Sequence, residues 1–242
     1  MYVKYLFTAY GGGFFIGLLR LRLLYCTLYK YFYSGCIMRG LFISVEGTDG
    51  AGKSTQIELL LNYLKDKGCN CVFTREPGGT YIGEKIRNII LDNDNEGMTA
   101  ETEALLYAAS RAQHVREKII PAVNAGKTVI CDRYVDSSIV YQGIGRKIGV
   151  QAVRAVNDFA TGGFMPDLTL FFDLPAEESV KRRQSAGSLD RIEKESLAFH
   201  KSIYDGYIAL AEENPGRIKR IDASKTVEEV HGEVLKALEG LI

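Results

Sequence analysis

Residues 41–54 read Leu41-Phe42-Ile43-Ser44-Val45-Glu46-Gly47-Thr48-Asp49-Gly50-Ala51-Gly52-Lys53-Ser54. The first six form a short apolar run with β-branched members, the pattern of a strand buried on both faces of a parallel sheet. The next eight fit G-x-x-x-x-G-K-[ST], and a helical pattern follows over Gln56 to Lys67. Glycines at this spacing let the chain curl so that successive backbone N–H groups point inward at phosphate oxygens. The helix that begins at Lys53 adds the positive end of its dipole. Lys53 would bridge the β- and γ-phosphates, and the Ser54 hydroxyl would coordinate Mg²⁺. The expected nucleotide-binding stretch is therefore Gly47, Thr48, Asp49, Gly50, Ala51, Gly52, Lys53, Ser54 and Thr55. A glycine-rich strand-to-helix turn without a nucleotide is the bland alternative, and the strand before and helix after weigh against it.

Outward from this motif the pattern repeats. Short apolar runs at Cys71 to Thr74, Thr128 to Cys131 and Leu168 to Phe172, with a weaker one at Ile218 to Ile221, predict four more strands. Helical stretches are expected between them at Ile82 to Leu91, Thr102 to Val123, Val150 to Ala160 and Ser188 to Glu213. Strands alternating with helices imply an α/β fold, a parallel sheet wrapped by helices. No Pro/Gly/Ser-rich linker and no internal repeat divides the segment, so it reads as one domain. A second near-match, Ala125-Gly126-Lys127-Thr128, has Pro121 where the first glycine belongs and precedes a strand. It reads as a helix-ending glycine beside a solvated lysine.

A phosphate-binding loop alone does not choose among kinases, GTPases and motor ATPases. No Asn-Lys-x-Asp base-reading motif of a GTPase is present, and a translocating ATPase would want more chain and an acidic pair ending a strand. Here the third strand runs into Cys131-Asp132-Arg133-Tyr134. One carboxylate followed by an arginine suits a site where Asp132 holds Mg²⁺ through water while Arg133 binds an anionic substrate.

At this point the chain resembles the thymidylate kinase family across residues 40–242. The landmarks are the phosphate loop with Asp49 inside it, Thr74-Arg75-Glu76-Pro77-Gly78-Gly79, Leu105-Leu106-Tyr107-Ala108-Ala109-Ser110-Arg111, Asp132-Arg133-Tyr134-Val135-Asp136-Ser137-Ser138, Tyr141-Gln142-Gly143 and Leu189-Asp190-Arg191-Ile192-Glu193. Each is weak alone; their order and spacing are specific. The resemblance implies a P-loop NTPase fold with a five-stranded parallel sheet and a mobile lid. It implies transfer of the ATP γ-phosphoryl group to dTMP, giving dTDP for dTTP synthesis, in a cytoplasmic homodimer that uses ATP and Mg²⁺ and binds no nucleic acid.

The resemblance also implies roles. Arg75 and Arg133 would hold the dTMP phosphate, with Arg133 near the transferred group; arginine suits this because its planar fork meets phosphate with two hydrogen bonds. Tyr107 would stack on thymine and Arg111, one turn on, would read its edge. Ser138, Tyr141 and Gln142 would complete the base and sugar contacts, Tyr141 excluding a ribose 2′-hydroxyl by bulk. Asp49 would contact the sugar 3′-hydroxyl and the phosphate-binding arginine. Some members carry a basic residue inside the phosphate loop where this chain has Gly50. The lid is then expected to supply it, with Arg191 the first candidate and Arg183 the second, while Lys181 and Arg182 read as a solvated helix face. A kinase for dUMP or AMP, and a regulator that holds ATP without turnover, are the competing readings. Tyr107, Arg111 and Tyr141 disfavour the first, and Lys53, Ser54 and Asp132 disfavour the second.

The 242 residues carry 30 Lys+Arg against 30 Asp+Glu, a neutrality that disfavours binding nucleic acid by bulk charge. The total hides an asymmetry. No acidic residue precedes Glu46, and residues 1–37 hold only Lys4, Arg20, Arg22 and Lys30, together with seven of the 14 tyrosines. Removing those four leaves 26 basic and 30 acidic side chains over residues 38–242. Arg20 and Arg22 interrupt any secretory or membrane-spanning apolar stretch in this leader. It is read as sequence upstream of a start at Met38, and a membrane partner is expected only if the leader belongs to the protein. The five cysteines show neither zinc-type spacing nor a paired framework, which fits a reducing compartment.

Overall fold

A computed structural model describes residues 39–185, 187 and 189–241. The leader 1–37 and the proposed start at Met38 lie outside the described residues, as do 186 and 188 within the lid.

Five strands, β1 (Phe42–Glu46), β2 (Cys71–Arg75), β3 (Thr128–Asp132), β4 (Leu168–Asp173) and β5 (Ile218–Asp222), form one parallel sheet in the order β2-β3-β1-β4-β5. All five match the runs read from the sequence to within a residue or two. β1 is central and buried along its whole length, its polar Ser44 and Glu46 included, so both of its faces are packed. Side chains alternate across the sheet: Phe42, Val129, Cys131 and Phe171 pack into one core, and Ile43, Val45, Ile130, Leu170 and Phe172 into the other. The chain leaves β1 for one side of the sheet and later returns to its other side at β4. The carboxyl end of β1 is thus a topological switch point, where open α/β sheets bind ligands.

The helices are α1 (Lys53–Asp66), α2 (Tyr81–Leu91), α3 (Ala100–His114), α4 (Ile120–Asn124), α5 (Val135–Ser138), α6 (Val150–Thr161), α7 (Ala176–Gln184), α8 (Leu197–Glu213) and α9 (Val227–Ala237). Two expectations are corrected. The single helix read over Thr102 to Val123 is interrupted by a wide π-helical turn at Val115–Ile119 ahead of Pro121, whose ring and missing N–H do not fit a regular ladder. The helix read from Ser188 begins only at Leu197. Asp190 accepts hydrogen bonds from the backbone N–H groups of Ile192 and Glu193, both at 2.9 Å, which turns the chain locally. Ser196 then caps α8 by accepting from the N–H of Phe199 at 3.2 Å. Gly126, in the second glycine-lysine segment, follows α4 with φ 75° and feeds β3, as expected of a helix stop.

Candidate active site

The loop after β1 owes its shape to its glycines. Gly47 has φ 133°, and a Cβ there would lie 2.7 Å from the carbonyl oxygen of Phe172. Gly52 caps α1 in the left-handed region at φ 82°. Between them Lys53 folds inward, its Nζ donating to the carbonyls of Gly47 at 3.0 Å and Thr48 at 2.8 Å and standing 3.8 Å from Asp49. Burial, with the charge of Arg133 beside it, lowers the Lys53 ammonium from its ordinary value. Ser54 and Thr55 remain exposed on the first turn of α1.

A cleft enclosing about 710 Å³ of space, the open solvent at its mouth included, lies over the carboxyl ends of β1, β2 and β3. Asp49 forms one wall, Arg75, Pro77 and Arg87 a second, Arg133 with Ser137, Ser138, Tyr141 and Gln142 a third, and Tyr107 on α3 another. Arg133 directly follows β3 and has φ 68°, strained for a side chain with a Cβ. That strain aims the guanidinium back at the phosphate loop, where Nη2 donates to Asp49 Oδ1 at 2.6 Å and Nη1 to Ser137 Oγ at 3.3 Å. Burial acts to raise the Asp49 carboxyl, but Arg133 and Lys53 outweigh it and hold it far below the usual carboxylate range. Arg75 donates to Glu84 at 3.0 Å and to the Pro77 carbonyl at 3.1 Å, and stays partly open to the cleft. Asp132 Oδ1 is buried and has no hydrogen-bond partner among the described residues. A buried carboxylate oxygen without a donor at the end of β3 suits contact with a hydrated divalent cation.

The other end of the cleft is apolar and hydrogen-bonding in turn. Tyr107 and Tyr141 present their rings, Tyr141 also lying 5.1 Å under the Arg133 guanidinium. Arg111, expected to read the thymine edge, keeps most of its guanidinium inside the protein. It is 1% exposed and does not line the cleft; its guanidinium donates to Glu76 at 2.6 Å, Ser138 at 2.8 Å, the Tyr134 carbonyl at 3.0 Å and Asn157. Four of its five N–H donors are thus committed inside the protein, leaving one on Nη2 for any ligand. Its main work here is to hold Ser138 and Tyr134 in place.

The family model described as thymidylate kinase matches residues 45–234. The chain belongs to the thymidylate kinase family. A thymidylate kinase of Clostridium novyi is 48% identical over 198 residues, covering 81% of this chain and 97% of that protein. One from Lactobacillus helveticus is 50% identical over 205 residues, covering 84% and 97%. Among solved structures, the crystal structure of thymidylate kinase from Ehrlichia chaffeensis is similar with a TM-score of 0.68 and 34% identity, covering 83% of this chain and 99% of that one.

In this thymidylate kinase family member the lid arginines separate clearly. Arg191, the first candidate for the phosphates, is buried, with Nη2 donating to Glu103 at 2.7 Å and Nε to the Ile90 carbonyl at 2.9 Å. Its neighbours Asp190 and Ile192 line the cleft, while its own side chain is turned under them toward α2 and α3. Arg183, the second candidate, lies beside Asp49 in a small hollow with Glu193 and His200, paired to Glu193 at 2.5 and 2.8 Å. Arg182 and Lys181 face solvent, Arg182 paired with Glu178 one turn back. Arg87 was not singled out from the sequence. It lines the cleft from α2 and donates to the Pro77 carbonyl at 2.9 Å, next to Arg75. Its signal was its position four residues before Leu91, which faces the same cleft.

Proposed function

We infer that this chain transfers the γ-phosphoryl group of ATP to dTMP, giving ADP and dTDP in dTTP synthesis. The observation that carries the reading is the Asp49–Arg133 contact. It joins the ATP loop to the strained arginine at the end of β3, so two anionic substrates would meet across one hydrogen bond.

The acceptor is already an ionised phosphate oxygen, so no strong general base is required. As that oxygen bonds to the γ-phosphorus, the bond to the β,γ-bridging oxygen breaks and ADP leaves. The protein's contribution is alignment and positive charge around the moving group. Arg75 and Arg133 would hold the dTMP phosphate, Lys53 and the loop N–H groups from Gly47 to Thr55 the ATP phosphates, and Arg183 the lid side. Asp132 and Ser54 would hold Mg²⁺, which when bound neutralises charge on the β- and γ-phosphates. Tyr107, Ser138, Tyr141 and Gln142 would receive base and sugar, and Asp49 the 3′-hydroxyl. Arg111 would act mainly by fixing Ser138.

Residues 38–242 are the proposed working domain. A cytoplasmic setting is supported by the free cysteines Cys69, Cys71 and Cys131, and no helix among the described residues is long and apolar enough to cross a membrane. A homodimer through α3 and α6 is supported by the apolar surface those helices leave open.

The test is ADP release from Mg²⁺-ATP across dTMP, dUMP, AMP and dCMP. Turnover highest with dTMP is expected. Background activity with dTMP, or preference for a ribonucleotide, overturns the reading.

A further inference from the structure

A carboxylate in the first turn of α3 has no part in the chemistry above. Glu103 is 1% exposed, and its two oxygens accept from Gln142 Nε2 at 3.0 Å, Arg146 Nε at 3.2 Å, Arg146 Nη2 at 3.1 Å and Arg191 Nη2 at 2.7 Å. Burial alone would push the carboxyl up. The hydrogen bonds from Arg146 and Gln142, with the Arg146 charge, prevail and hold it below its ordinary value. At neutral pH Glu103 is therefore an anion that can only accept hydrogen bonds.

That restriction decides the orientation of its neighbour. A glutamine amide offers an oxygen acceptor on one side and an NH₂ donor on the other, and the surrounding chemistry selects between the two flips. Facing an acceptor-only carboxylate, Gln142 has to turn its NH₂ toward Glu103. Gln142 also lines the cleft, so the side of the amide away from Glu103, its carbonyl oxygen, is the one left for a ligand.

We propose that Glu103 is a positioning residue that sets base specificity: by fixing the Gln142 amide it presents an acceptor to the nucleobase. Thymine and uracil carry an N–H at ring position 3 and match it, whereas cytosine carries an acceptor there and is rejected. The same carboxylate holds Arg191, whose chain neighbours Asp190 and Ile192 form the lid side of the cleft. One buried anion thus ties base selection to the placement of that wall. The proposal rests on the dTMP kinase reading and refines it.

The experiment measures kcat and KM for dTMP, dUMP and dCMP with Mg²⁺-ATP in the wild type, Glu103→Gln, Gln142→Ala and the double variant. An amide at 103 can donate as well as accept, so it releases the flip of Gln142. The dTMP-to-dCMP ratio of kcat/KM is expected to fall by about tenfold or more in Glu103→Gln, since a site built to pair with a polar group loses selectivity once that pairing is free. The change should appear in KM for the monophosphate, with KM for ATP and the dTMP-to-dUMP ratio held. In the Gln142→Ala background, Glu103→Gln should leave the dTMP-to-dCMP ratio unchanged. An equal loss on dTMP and dCMP, a shift that persists without Gln142, or a wild type that does not discriminate against dCMP overturns the proposal. If Glu103→Gln does not fold, Glu103→Asp keeps a buried negative charge near both arginines while drawing the carboxylate back from all its donors, Gln142 included, with the same expected and overturning results. A wild type inactive on dTMP overturns instead the reading on which this rests.

Discussion

Glu46 ends β1 with its carboxylate sealed beneath the site. It accepts from the Tyr134 N–H at 2.7 Å, the Ser137 hydroxyl at 2.5 Å and the Tyr207 hydroxyl at 2.9 Å, and so clamps the residues on the far side of strained Arg133. Burial, reinforced by Asp136, raises its pKa to about 7 against the opposing Ser137, Arg133 and Tyr207. The folded protein therefore holds this proton more tightly than the unfolded chain, whose carboxyl titrates near 4.5. The resulting stability is fully present below that lower value and is lost as pH rises through about 7. In Glu46→Gln this dependence disappears. Urea unfolding at pH 5.5, 6.5 and 7.5 should show the wild type losing stability relative to the variant as pH rises. The expected change is on the order of 1–3 kcal/mol at about 1.4 kcal/mol per pKa unit. A pH-independent difference would remove Glu46 as the titrating group.

At the scale of elements, the phosphate loop and α7 are built against each other. The Ser179 hydroxyl donates to the Asp49 carbonyl at 2.8 Å, and Gly50, at φ 89°, brings the loop close beneath the helix. A Cβ at 50 would stand 2.5 Å from the Ser179 carbonyl oxygen and 3.2 Å from the Arg183 nitrogen. This contact leaves no room for a side chain at position 50 in this arrangement, in keeping with the proposed supply of the basic group from Arg183 on the lid side. Gly50→Ala should lower kcat by about tenfold or more, because misplacing an aligned group by an ångström is costly. Folding should survive, since the strain is of order 1–3 kcal/mol. Steady-state kinetics beside a thermal melt checks both; wild-type kcat in a folded variant would show that the loop and α7 need not meet.

For the whole molecule, the surface of α3 and α6 is the notable one. Leu105 is 58% exposed and Phe159 91% exposed, and Ile148, Ala152 and Val156 line an apolar hollow beside Leu105. Large apolar side chains grouped in this way mark an association surface. Light scattering after gel filtration should give a dimer for the wild type and a monomer, or a much weaker dimer, for Leu105→Arg. An unchanged dimer would move the interface elsewhere. Tyr107 and Glu103 also belong to α3, so loss of the dimer should raise KM for dTMP.

The five strands, their parallel order of use and the phosphate loop were legible in the linear chain, because each depends on local pattern: β-branched apolar runs, glycines and a lysine at fixed spacing. The candidate cleft was legible in part through the family resemblance, which pointed to Asp49, Arg75, Tyr107, Arg133, Tyr141 and Gln142, all of which line it. What the sequence could not decide is which arginine faces a ligand and which faces a buried acid. Arg111 and Arg191 look as suitable as Arg133 in isolation, yet Glu76 and Glu103, 35 and 88 residues away, capture them. A guanidinium goes where an uncompensated carboxylate awaits it, and only the folded chain brings the two together.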